Sequence, residues 1–280
     1  MFLEIKFNGG LGNQMFQYAA GRALCIKKKI PYLLLNTESY TNESLGRKFG
    51  LINFHIKGKL VENDTVKKMF RKRTKLNTLI SGSGLHKNIE EKDFVLQPIE
   101  KGTGLLTSLE GFWQSPQYFN DIRQLLLKEF TPLRVPSSPL WLHEKNTVAV
   151  HVRRTDYLDE HRYGFIGAQY YRDAMALIKK KMAEPLFIFF SDDILWCKQN
   201  FADGKTVFFE DAEWVEDYLQ LYLMSKCAHQ VIANSSFSWW AAWLNQNPGK
   251  IVTRPLTPFK EKTLLYESHY PEEWIAINNN

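Results

Sequence analysis

A chain of 280 residues can bury one large core or two modest ones, since single domains run to about 100–200 residues. Hydrophobic residues at 44% and charged residues at 24%, with no low-complexity tract, exclude the disordered and fibrous classes. The net charge of +6 is uneven: Lys67, Lys68, Arg71, Lys72, Arg73 and Lys75 crowd one predicted helix, which reads first as a solvated face and second as a contact for acidic partners such as anionic lipid.

The cysteines, Cys25, Cys197 and Cys227, are odd in number and far apart, giving neither a disulfide framework nor paired metal-ligand spacing. A reducing, cytoplasmic compartment fits them. The opening MFLEIKF has no basic n-region or sustained apolar stretch, so no signal peptide is expected. No run approaches the roughly 18 apolar residues of a membrane span.

In chain order, a strand FLEIKF, a helix from about Asn13 and a strand PYLLLN set the βαβ rhythm of an open parallel sheet. The stretch Leu60 to Gly104 is less regular, combining the basic helix with an SGSG loop. The rhythm restarts after Pro132, Pro136 and Pro139, with strand TVAVHV, helix Gln169 to Met182, strands LFIFFS and TVFFE, helix Glu213 to Lys226 and strand QVIA. The expected architecture is α/β, with two Rossmann-like domains, 1–139 and 140–280, facing a ligand cleft.

Four constellations stand at strand-to-helix turns. In Asn8-Gly9-Gly10-Leu11-Gly12-Asn13-Gln14 the glycines admit a ligand close to the backbone and Asn13 is placed to cap the next helix; a plain tight turn is the alternative. Met15 stands where a dinucleotide fingerprint needs its third glycine, so that reading fails. His151-Val152-Arg153-Arg154-Thr155-Asp156-Tyr157 runs off the apolar strand TVAVHV. There the forked guanidiniums of Arg153 and Arg154 suit a diphosphate, and Asp156 can orient one of them. A surface ion-pair cluster is the alternative.

In Phe190-Ser191-Asp192-Asp193 a carboxylate can accept hydrogen bonds from a base or a ribose, Asp193 can cap a helix, and a divalent cation is the weakest option. Asn234-Ser235-Ser236-Phe237 then leads into Ser238-Trp239-Trp240-Ala241-Ala242-Trp243, where hydroxyls and first-turn amides form an anion-binding terminus and the tryptophans pack the core. His55, His86, His143, His161, His229 and His269 lack partner spacing. Neither a G-x-S-x-G elbow, a Walker A sequence nor an H-E-x-x-H helix is present.

Taken together, GGLGNQMFQYAAGRAL, HVRRTDY, FSDD and NSSFSWWAAWL resemble the bacterial α-1,2-fucosyltransferases of glycosyltransferase family 11, in order and spacing across nearly the whole chain. Thr155 stands where that family often has glycine. The resemblance implies a GT-B arrangement in which the second half binds GDP-L-fucose and the first contributes contacts to a galactose-terminated glycan. It implies inversion at the sugar carbon, no covalent intermediate and no cofactor or metal. Arg153 and Arg154 would stabilise the leaving diphosphate, with Gly10, Gly12, Asn234, Ser235, Ser236 and Phe237 also on the donor side and Asp192 at the guanosine. Asn13 would meet the reacting sugar or the acceptor, while Asp156 and His151 are the candidate bases. No nucleic-acid partner is expected, and a peripheral contact with the inner membrane is. Transfer in α-1,6 or O-linkage is a rival reading, as is a non-catalytic glycan-binding protein using the tryptophans as platforms.

Overall fold

The computed structural model describes residues 1–41, 46–61, 86–92, 94–99, 104–159, 165–261 and 268–279. The basic helix at Lys67 to Lys75, the SGSG loop and His161 lie outside them. The chain divides into two compact units: Met1–Thr131, rejoined by Ser268 and His269, and a second that begins at Pro132 and takes the C-terminal residues from Tyr270. The division falls between Thr131 and Pro132, ahead of the boundary expected at Pro139.

The first unit is a five-stranded parallel sheet in the order β3-β2-β1-β5-β4, formed by β1 (Phe2–Lys6), β2 (Tyr32–Asn36), β3 (Lys59–Val61), β4 (His86–Glu90) and β5 (Leu106–Glu110). Helix α1 (Leu11–Lys27) crosses from β1 to β2, and α2 (Arg123–Glu129) follows β5. The helix packs so closely that a Cβ on Gly21 would sit 2.3 Å from Ile5 Cδ1. Buried Glu4, in the central strand, accepts hydrogen bonds from Asn36 Nδ2 at 2.8 Å and Ser108 Oγ at 2.6 Å, one on each neighbouring strand. A carboxylate at that depth is tolerated because both oxygens are satisfied.

The second unit is a six-stranded parallel sheet, β11-β10-β9-β6-β7-β8. Its strands are β6 (Thr147–Val152), β7 (Leu186–Ser191), β8 (Val207–Phe208), β9 (His229–Val231), β10 (Val252–Pro255) and β11 (Ile275–Ile277). The helices are α3 (Thr155–Asp159), α4 (Ala168–Lys181), α5 (Ile194–Phe201), α6 (Asp217–Lys226) and α7 (Ser236–Leu244). All six residues of β6 are buried, as expected of a central strand covered on both faces. Val148, Val150 and Val152 meet Tyr170, Tyr171 and Ile178 of α4 and Phe201 of α5 in one core.

Three sequence expectations need correction. Asn13 does not cap α1: Gly10 does, with φ −73° and ψ 175° and no side-chain cap, because an extended glycine backbone lets the helix start two residues earlier. The strand TVFFE shrinks to Val207–Phe208, an edge pairing to β7 alone. The helix drawn from Glu213 splits into a 3₁₀ turn, Ala212–Trp214, and α6, because Glu216 adopts extended backbone between them. Among the described residues, no helix is long and apolar enough to cross a membrane.

Candidate functional site

Parallel strands end together, so the residues that follow β6, β7 and β9 in the second unit share one edge of the sheet, where strand C-termini meet helix N-termini. Arg153, Arg154, Asp156, Asp192, Asn234, Ser235, Ser236 and Phe237 all belong to that edge, with His151 just inside it.

Each arginine arrives with a carboxylate. Arg153 grips Asp156 with two parallel hydrogen bonds, Nε to Oδ1 at 2.8 Å and Nη2 to Oδ2 at 2.7 Å, and its Nε lies 3.4 Å from Asp192 Oδ2. Arg154 donates from Nη1 to Asp193 Oδ2 at 2.7 Å. Its guanidinium also lies 5.3 Å from the Phe165 ring centroid and 5.2 Å from that of Trp196, two rings that meet edge-to-face, while its Nε is buried without a partner. Burial works to lower the Arg153 pKa, but the hydrogen bonds to Asp156 and the field of Asp192 outweigh it and hold the group charged. The arginines are thus fixed in direction rather than left to wander in solvent, which is the preorganisation an oxyanion site requires.

Asp192 serves this turn. It accepts from Arg154 N at 2.9 Å, Thr155 N at 3.2 Å and Thr155 Oγ1 at 2.6 Å, so the end of β7 holds the start of α3. The Thr155 hydroxyl supplies a bond that glycine at this position could not. Asp193 caps α5, accepting from Trp196 N at 3.1 Å while it pairs with Arg154. The helix-cap option for Asp193 and the ion-pair option for the arginines are therefore both realised in the same cluster.

At the β9–α7 turn, Ser235 is the N-cap of α7, its Oγ accepting from Phe237 N at 3.3 Å. Asn234 is anchored by Nδ2 on Pro258 O at 2.7 Å, and Tyr157 Oη donates to the Asn234 carbonyl at 3.2 Å, tying α3 to this turn. Trp239, Trp240 and Trp243 are buried at 0%, 0% and 4% exposure, so they are core residues and offer no sugar platform. His151 is buried against Phe237, ring centroids 5.4 Å apart, and its Nδ1 has no partner. Desolvation, reinforced by Arg153, pulls its pKa down to about 3, which leaves a neutral imidazole and a weak base.

The glycine turn belongs to the first unit. Gly9, with φ +76°, is the residue whose backbone demands glycine, and a Cβ there would meet Asn13 Nδ2 at 2.6 Å; a Cβ on Gly10 would meet nothing within 4 Å. The turn is pinned by Gln14 Nε2 and Tyr40 Oη, which donate to Gly9 O at 3.1 and 2.8 Å. Asn13 Oδ1 accepts from Gln114 Nε2 at 2.9 Å, and His269 Nδ1 meets Gln114 O at 2.7 Å. Gly12 is buried inside the first turn of α1.

Sequence reasoning quoted Thr155 and Tyr157 within HVRRTDY without giving them a role, and missed Phe165 and Trp196, which reach Arg154 only once β6 and β7 are paired.

Two α/β units that each carry a parallel sheet, the second with an arginine pair at its strand ends, define a GT-B-like fold. The chain belongs to glycosyl transferase family 11, whose family model matches residues 1–278. It is 31% identical to an alpha-1,2-colitosyltransferase of Escherichia coli, over 97% of each chain. It is also 27% identical to galactoside alpha-(1,2)-fucosyltransferase 1 of Alouatta belzebul, over 61% of this chain and 52% of that one. Among solved structures, fucosyltransferase NodZ from Bradyrhizobium superposes with a TM-score of 0.50 at 14% identity, covering 86% of this chain and 92% of the other, a likeness of fold.

Proposed function

We propose that this enzyme transfers L-fucose from GDP-L-fucose to the 2-hydroxyl of a terminal galactose on an oligosaccharide or lipid-linked glycan, with inversion and without a metal ion, at the cytoplasmic face of the membrane. The observation that carries the donor side is the arginine pair at the end of β6, locked by Asp156, Asp192 and Asp193 beside the Ser235-capped terminus of α7. The α-1,2 linkage is favoured by the names of both relatives, and galactose by the second.

On this reading the acceptor hydroxyl attacks the sugar C1 from the face opposite the nucleotide, through an oxocarbenium-like transition state, as the C1–O bond to the diphosphate breaks. Arg153 and Arg154 meet the charge that grows on the departing oxygen, each for about 3 kcal/mol of barrier. Ser235, Ser236 and the first-turn amides of α7 receive the remaining phosphate oxygens. Asn13, an amide, orients a hydroxyl and takes no proton. Asp156 has both oxygens on Arg153, and His151 is a weak base, so neither is poised as a strong acceptor. A hydroxyl attacking an already cationic carbon loses its proton late and needs little more.

A second reading, colitosyl transfer, is favoured by the full-length match to the colitosyltransferase. Colitose is fucose without its 3-hydroxyl, and a site built to hydrogen-bond that hydroxyl rejects the deoxy sugar by a factor of about 10⁴. Both donors are therefore offered with lactose in the presence of EDTA, to wild type and to Arg153→Ala and Arg154→Ala, with the linkage read by NMR. The proposal expects an α-1,2-fucosylated product, lost by a factor of about 10² or more in either variant. Preference for GDP-colitose would transfer the reading to the second sugar, a different linkage would refute the 2-hydroxyl, and loss of product in EDTA would refute metal independence.

A further inference from the structure

The arginine cluster does not supply positive charge in proportion to its arginines. Asp156, Asp192 and Asp193 oppose Arg153 and Arg154, so three carboxylates face two guanidiniums and the cluster carries one net negative charge. A nucleoside diphosphate brings two or more negative charges of its own, and its approach needs a cation that no aspartate neutralises.

Arg254 meets that description. It is the third residue of β10, and the register that sets Thr253 opposite Val231 puts Arg254 level with Ile232, one strand from the turn that carries Asn234 and Ser235. Its guanidinium carbon lies over the Tyr270 ring, 4.7 Å from the centroid, and its Nη1 donates to Pro255 O at 3.2 Å. Its Nε is buried without a partner, and among the described residues no carboxylate pairs with it. A partly buried guanidinium held by a ring and a single carbonyl keeps most of its donors and all of its charge for another group. The aromatic face limits its rotamers, so a contact made by it loses little side-chain entropy.

We propose that Arg254 is a third cationic contact to the diphosphate of the nucleotide-sugar donor, reaching it from the β10 side of the α7 terminus. The proposal rests on the donor reading above. It assigns the arginines different tasks: Arg153 and Arg154, fixed by aspartates, aim donors at the leaving oxygen, whereas Arg254 supplies the uncompensated charge that draws the diphosphate in. A lone arginine in VTRP has no companion in the sequence and belongs to no motif.

Calorimetric titration of wild type, Arg254→Ala and Arg254→Lys with GDP and with GMP tests this. The expected result is a loss of GDP affinity of about tenfold or more in Arg254→Ala, a smaller loss for GMP, and partial recovery in Arg254→Lys. Should Arg254→Ala fail to fold, Arg254→Gln, which keeps the stem over Tyr270 without the charge, takes its place. Unchanged GDP affinity in a folded variant, or equal losses for GDP and GMP with a lowered melting temperature, would overturn the assignment while leaving the donor reading intact. Wild type that binds no GDP would overturn the donor reading itself, and this inference with it.

Discussion

His151, the penultimate residue of β6, has its ring against Phe237 and its Nδ1 buried, and burial is the main reason its pKa falls to about 3. An unfolded histidine titrates near 6.5. Between those values the unfolded chain binds a proton that the folded chain refuses, so stability is complete above about pH 6.5 and declines on acidification, by up to about 1.4 kcal/mol per pH unit. Denaturant unfolding at pH 7 and pH 5 should therefore show a loss in wild type that is about 2 kcal/mol smaller in His151→Asn. Parallel losses in the two proteins would mean that His151 is not held neutral. At this scale the sequence was informative about identity and silent about pairing. A continuous apolar strand that ends in two arginines announces a site, whereas their partners Asp192 and Asp193 stand 38 and 39 residues further on for the bonds to Arg154 and become neighbours only through the β6–β7 register. Gly9 shows the same limit: three glycines were visible in the turn, but which of them needs positive φ depends on the angle at which α1 leaves β1.

Elements were legible where their hydrophobic period was strong. Helix α4 spans Ala168–Lys181 against an expected Gln169 to Met182, and TVAVHV and LFIFFS are strands over their full lengths. Strands β3, β4, β5, β10 and β11 were not anticipated. HKNIE and VTRP lack the continuous apolar run of a central strand, because β4 is an edge with alternating exposure and β10 places an arginine and a proline at its end. The element-scale device of the site is the bond from the end of β7 to the start of α3. Asp192→Ala removes the acceptor of two backbone amides and a hydroxyl, all reachable by water, which should lower stability by about 1 kcal/mol and release Arg153 from one of its two carboxylates. Thermal unfolding with and without GDP reads both effects, and a variant with wild-type melting temperature and wild-type GDP stabilisation would show that this link positions nothing.

For the molecule as a whole, the α/β class and the two-unit organisation were legible from the βαβ rhythm and its restart after the proline run. The division ahead of Pro139 and the return of Ser268 and His269 to the first unit were not. Those two residues rejoin it through contacts that no sequence period encodes, among them Ser268 Oγ to Ser115 Oγ at 2.7 Å, His269 Nδ1 to Gln114 O at 2.7 Å and the His269 ring 5.9 Å from that of Phe16. The family match extends over both units, and the proposed donor site lies on one edge of one sheet. Hydrogen–deuterium exchange with and without GDP tests that assignment most directly. GDP should slow exchange in the segment that follows β6, around Arg153 to Tyr157, and in the turn from Asn234 to Phe237, with the rest of the second sheet little changed. Binding that protects neither segment would contradict the account, because the nucleotide would then lie away from the arginines and the α7 terminus on which the proposed reaction depends.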